Sequence, residues 1–181
     1  GNNFCRLHKN EDAVSDYKKA IKFQKNYIAA YENLSMTYKQ IGNYDDALLV
    51  FNKIIKLKPK SPMPYYNLGN MLRELGKYEA AISNYDKSIE IQPHYAEAFN
   101  NMGIALKDHG KLEKAKGAYI KAYKIKPDYV DAYNNLGLLL KDQGKFEEAI
   151  EEFEKALNIG PLNADVYFNM GIVLQEQGKI E

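Results

Sequence analysis

The chain of 181 residues has no tryptophan and one cysteine, Cys5. A lone thiol cannot close an internal disulfide, so disulfide-built scaffolds are excluded and a reducing compartment, the cytoplasm or the nucleus, is expected. Cys5 reads as a small half-buried residue rather than a reactive thiol. Long apolar runs are missing: nothing reaches the roughly 18 residues that a membrane-spanning helix needs. The start, Gly1-Asn2-Asn3-Phe4, lacks the character of a signal peptide. An excess of one charge is missing as well, since 25 Lys and Arg face 24 Asp and Glu. That balance gives no broad attraction to nucleic acid and no basic surface for a membrane, so neither partner is expected.

Catalytic patterns are also wanting. His8, His94 and His109 fit no metal spacing, paired cysteines are lacking, and there is no phosphate loop or nucleophile elbow. No enzymatic activity, cofactor or metal is expected of this chain. The acidic group Glu147, Glu148, Glu151 and Glu152 lies near a helix start and reads as a solvated face. The glycosylation pattern Asn33-Leu34-Ser35 falls inside an expected helix and reads as chance.

What the chain has is repetition. Pro59, Pro93, Pro127 and Pro161 recur every 34 residues, as do Gly42, Gly76, Gly110, Gly144 and Gly178. Alanines 13, 47, 81, 115 and 149 keep the beat, and so do two aromatic series. These are Tyr31, Tyr65, Phe99, Tyr133 and Tyr167, and Tyr17, Phe51, Tyr85, Tyr119 and Phe153. With proline at the thirty-second position, the full units are 28–61, 62–95, 96–129 and 130–163. Residues 1–27 are then the tail of an earlier unit and residues 164–181 the first helix of another.

Each unit reads as two helices. In unit 130–163, Tyr133, Leu136, Gly137 and Leu140 make one apolar stripe at helical offsets. Gly144 ends that helix, because glycine tolerates the left-handed conformation found there. Phe146, Ala149, Ile150, Phe153, Ala156 and Leu157 form the stripe of the second helix, which Pro161 stops. Glycines 69, 103, 137 and 171 sit inside first helices, where each costs about 1 kcal/mol against alanine. Close approach of the partner helix, with its aromatic ring in the gap, offsets that cost.

Tyr133-x-x-Leu136-Gly137-x-x-Leu140 with Gly144, Ala149, Phe153, Ala156 and Pro161 resembles the tetratricopeptide repeat signature. The resemblance covers essentially the whole chain. It implies an all-α fold, an α-solenoid in which antiparallel helix hairpins stack into a right-handed superhelix. It also implies that first helices line a concave surface that binds peptides or proteins.

At about 100° per residue, positions 2, 6, 9 and 13 of a first helix oppose positions 4, 8 and 11, which face the partner helix. Position 6 is asparagine in every readable unit: Asn33, Asn67, Asn101, Asn135 and Asn169. Asparagine is a poor residue for a helix interior, so something must offset five of them. Its amide both donates and accepts, and can pair with the N–H and C=O of one residue of an extended peptide. Helices about 8–10 Å apart would then meet roughly every third residue of that peptide. The competing reading is inheritance by duplication, with the amide bridging neighbouring helices.

Position 12 adds Lys39, Arg73, Lys107 and Lys141 as candidates to select peptide side chains. Asn100 and Asn134 at position 5, Asp131 at position 2 and Asn70 at position 9 complete the set. Internal ion pairing is an equal alternative for any single charge. No basic residue stands at positions 2, 5 or 6, which disfavours a clamp for chaperone C-terminal carboxylates.

The runs Ala96-Glu97-Ala98-Phe99-Asn100-Asn101-Met102-Gly103 and Val130-Asp131-Ala132-Tyr133-Asn134-Asn135-Leu136-Gly137 are similar to the repeats preceding the catalytic region of O-GlcNAc transferases. That resemblance implies a concave asparagine ladder and an alternative role as the substrate-recruiting arm of such a glycosyltransferase. The leading expectation is an interaction scaffold. Charge also varies along the axis, from +5 over residues 107–126 to −4 over residues 130–163. Both ends cut through a repeat, leaving Tyr167, Met170, Ile172 and Leu174 partly uncovered. A fragment of a longer protein, or self-association through the unfinished repeats, is the expectation from that.

Overall fold

The computed structural model describes the backbone of residues 2–178 and the side chains of residues 9–178. Cys5 and His8 lie outside the described side chains. Among the described residues the chain is helical throughout. The helices are α1 (Asn2–Phe23), α2 (Ile28–Gln40), α3 (Tyr44–Leu57), α4 (Pro62–Glu74) and α5 (Tyr78–Ile91). They continue as α6 (Ala96–Asp108), α7 (Leu112–Ile125), α8 (Val130–Asp142), α9 (Phe146–Ile159) and α10 (Ala164–Glu176).

The even-numbered first helices end at glycine. At Gly76 the backbone turns left-handed with φ +70°. The Gly76 N–H then donates to the Arg73 carbonyl at 2.9 Å and the Lys77 N–H to the Leu72 carbonyl at 2.9 Å. These two bonds satisfy carbonyls that a helix end would otherwise leave unpaired. The residue in the same phase before α2 is His8. Its Cβ makes the left-handed conformation costly, and α1 runs through it as one helix. Residues 2–23 are therefore not the end of one helix and the whole of the next, which the repeat alone would give.

Inside the hairpins, a first-helix backbone lies directly under an aromatic ring. A Cβ added at Gly103 would stand 2.6 Å from the Tyr119 ring, and one at Gly137 2.6 Å from the Phe153 ring. Tyr85, Tyr119 and Phe153 are fully buried. In α2 the place of the glycine is taken by Ser35, also buried, whose hydroxyl donates to the Glu32 carbonyl at 2.8 Å. The turns are tied by the position-4 tyrosines: Tyr65 donates to the Pro59 carbonyl and Tyr133 to the Pro127 carbonyl, each at 3.3 Å. Phe99 keeps the ring and lacks the hydroxyl.

The hairpins stack so that α4 touches α6, α6 touches α8 and α8 touches α10, while successive second helices make no comparable contact. First helices thus line the inner side of the curve. The core runs along the axis rather than around a centre, as in other repeat arrays. One reading from the acidic group is corrected: Glu152 is buried, not solvated. One carboxylate oxygen pairs with Lys155 at 2.7 Å and the other has no partner. Its position places it against the stacked rings of Tyr123 and Tyr133, whose phenols burial and Glu152 push up. On α10, Tyr167 and Phe168 are exposed and Met170, Ile172 and Leu174 half-buried.

Two glycines test this packing in opposite directions. Gly103→Ala must displace the Tyr119 ring and should destabilise the array by about 1–3 kcal/mol. Gly117 on α7 has nothing within 4 Å of its missing Cβ, so Gly117→Ala should gain up to about 1 kcal/mol from helix propensity. Urea titrations followed by circular dichroism measure both; equal effects would contradict the packing described.

Candidate functional site

The inner face carries the position-6 asparagines, and the structure shows where their hydrogens go. Asn169 Nδ2 donates to Asn134 Oδ1 and Asn135 Nδ2 to Asn100 Oδ1, each at 2.9 Å and each across 35 residues. Asn101 Nδ2 donates to the Tyr66 hydroxyl and to Asn70 Oδ1, both at 2.9 Å. The rule is one layer back and one residue earlier: position 6 reaches position 5. Asn70 Oδ1 also accepts from the Tyr85 hydroxyl at 2.7 Å. Asn100 is 3% exposed and donates to Asn101 Oδ1 at 3.3 Å. It is enclosed within the bracing and offers a peptide nothing.

The pattern stops at the earlier units. Position 5 before Asn67 is Glu32, and among the described residues neither Asn67 nor Asn33 has a side-chain hydrogen bond. Asn33 is exposed and Asn67 half-buried. Helices α2 and α4 also lack the close contact that joins later first helices. A cavity of about 170 Å³ opens between them, lined by Glu32, Met36, Met63 and Asn67 over a floor that includes Phe51 and Ile54.

The position-12 cations are paired in early and late units alike, with Arg73 the exception. Lys39 pairs with Glu74 at 2.7 Å and Lys107 with Asp142 at 2.7 Å, again one layer apart, while Lys141 meets Asp142 at 3.4 Å. Burial pushes the Asp142 carboxyl up, but Lys107 and Lys141 outweigh it and hold the group below its ordinary value. Part of the charge gradient is thus met internally, with Lys116 and Glu148 at 3.6 Å adding to it.

Arg73 differs. Among the described residues it makes no ion pair, and its Nε is buried without a partner. It lies near the Tyr85 hydroxyl: burial pushes that phenol up and the guanidinium opposes the shift. Tyr66 packs on Tyr95 with ring centres 5.0 Å apart, and burial, then Tyr66 and Glu97, push the Tyr95 phenol up to about 12. Asp131 is exposed on α8. Tyr85 was read from sequence as a packing residue, and Tyr66 and Glu32 were not among the candidate binding residues. The signal was present in the doublets Asn100-Asn101 and Asn134-Asn135, whose adjacent amides meet across layers.

The bracing has a measurable cost of removal. Asn135→Ala leaves the enclosed Asn100 oxygen without its donor and should cost about 1–3 kcal/mol. Asn67→Ala removes no bond and should change stability by no more than about 0.7 kcal/mol, in the stabilising direction. Thermal unfolding of the two variants distinguishes them, and matching losses would mean that the amide bonds carry no weight.

Family models described as "TPR repeat" match residues 69–110, 105–144 and 137–178. Models described as "Tetratricopeptide repeat" match residues 28–61 and 50–83. No curated protein matches the chain. Among solved structures, MamA is 30% identical over 89% of this chain and 94% of its own, with a TM-score of 0.76. The fold is shared with PilW, described as a type IV pilus biogenesis factor, at 20% identity and TM-score 0.81 over 98% of this chain and 82% of PilW. It is shared too with YrrB, described as a TPR protein with an unusual peptide-binding site, at 22% identity and TM-score 0.71 over 99% and 88%. With matches along residues 28–178, the chain belongs to the tetratricopeptide repeat family.

Proposed function

We propose that the chain is an interaction scaffold whose inner face binds an extended peptide bearing an acidic side chain, seated across α2 and α4. The observation that carries this reading is the change in polar pairing along the face. From Asn101 onward the position-6 amides are spent on neighbouring layers. Asn33 and Asn67 are left with unused donors and acceptors, and the Arg73 guanidinium, beside the Tyr85 hydroxyl, makes no ion pair and keeps an unpaired Nε.

Each free amide can pair with the N–H and C=O of one peptide residue. The spacing of first helices places Asn33 and Asn67 about three residues apart along an extended chain. Arg73 lies six residues beyond Asn67 on α4, where its planar fork suits a carboxylate held by two parallel bonds. Met36 and Met63 are 40% and 48% exposed, and flexible thioethers adapt to varied apolar side chains. The cavity between α2 and α4 accepts a small one. YrrB, which has the same fold, is described as binding peptide, and a ligand of that class is proposed here.

Selection of random heptapeptides on the immobilised chain, followed by fluorescence anisotropy, tests the reading. Selected sequences should be enriched in Asp or Glu. Their affinity should fall about 10- to 100-fold in Arg73→Ala, the loss of a charged hydrogen bond. Asn33→Ala and Asn67→Ala should each weaken binding several-fold, and Asn134→Ala less than twofold. Peptides indifferent to Asn33, Asn67 and Arg73 would overturn the proposal.

A further inference from the structure

The outer face carries a second groove, separate from the inner surface. Between α5 and α7 the second helices stand apart and α6 forms the floor. The resulting cavity has a volume of about 380 Å³. Its floor is apolar, built by Phe99, Met102 and Leu106, with Ile82 and Ala118 on the walls. One wall of α7 presents Lys114, Gly117 and Lys121, at offsets of three and four residues and hence on one stripe of the helix.

Gly117 is the feature that packing leaves unexplained. Glycines 69 and 103 lie under a ring, whereas a Cβ at Gly117 would meet nothing within 4 Å. Other second helices carry Leu49, Ser83 or Glu151 at this position. Glycine in mid-helix weakens the helix, and here the return is an open groove rather than a close contact.

The charge around the groove is basic and largely uncommitted. Among the described residues, Lys111, Lys114 and Lys121 make no ion pair, and Lys121 lies 5.4 Å over the Phe99 ring. Across the groove stands one acid, Asp86. Burial and then Glu90 raise its carboxyl, with Lys114 opposing them. The surrounding residues 107–126 carry a net charge of +5.

We propose that this outer groove is a second docking site, for an acidic peptide segment that seats one bulky apolar side chain over Gly117 between carboxylates bound by Lys114 and Lys121. The seven residue steps from Lys114 to Lys121 rise about 10 Å along α7. An extended segment covers that span in about three residues. Acids two or three positions apart, with the apolar residue between them, therefore match the wall.

The probe is the acetylated, amidated and fluorescein-labelled pentapeptide Asp-Glu-Phe-Glu-Asp, followed by anisotropy with the full chain. Saturable binding should weaken at least fivefold when the four acids become Asn and Gln. Gly117→Leu, which fills the groove, and the double variant Lys114→Glu, Lys121→Glu should each weaken it at least tenfold. Gly117→Ala should stay within threefold of wild type, and circular dichroism checks that each variant is folded. Arg73→Ala should leave this probe's affinity unchanged, which separates the site from the inner face. No saturable binding to wild type, equal binding to Gly117→Leu and wild type, or loss that follows Arg73→Ala instead would each overturn the proposal.

Discussion

An aromatic ring resting on backbone where no Cβ stands sets the phase of three consecutive layers. Tyr85 over Gly69, Tyr119 over Gly103 and Phe153 over Gly137 leave no room for even one extra methyl group. Close packing of this kind permits one rotation of the first helix about its axis. Once position 8 is turned toward the partner helix, position 6 must face the other way. The inner surface is therefore a consequence of the hairpin core, fixed before any layer meets the next.

Stacking then decides what that surface can still do. The step between layers brings position 6 of one first helix against position 5 of the one before, and the amides there bond to each other. Each such bond contributes on the order of 1 kcal/mol, and the enclosed Asn100 makes its loss more costly than that. A side chain held in this way has less to offer a ligand. Bracing and binding draw on the same groups, and the array divides them along its length. The later units use their amides on each other, while the earlier junction keeps Asn33 and Asn67 uncommitted, with Asn67 lining an open cavity.

Much of the fold was legible in the sequence. The 34-residue period joins several residue types in one phase, and the glycines and prolines mark helix ends through backbone geometry alone. The faces followed from helical rotation. What periodicity does not encode is the offset between layers. The bonds across 35 residues depend on how one hairpin is displaced against the next, so the Asn-Asn doublets could not be assigned to bracing from spacing alone. The burial of Glu152 has the same origin, since its surroundings come from rings on two other helices. The unbroken α1 was hidden by extending the repeat over His8, where the residue that allows the turn is missing. Gly117 keeps no period and was passed over for that reason.

The division of the asparagines is open to direct measurement by solvent exchange of side-chain amide protons, read by nuclear magnetic resonance on the unliganded chain. Bonded amides exchange slowly, so the Nδ2 protons of Asn101, Asn135 and Asn169 should be protected while those of Asn33 and Asn67 exchange at the rate of a free amide. Uniform rates across all five would contradict the division, and protection confined to Asn33 and Asn67 would reverse it.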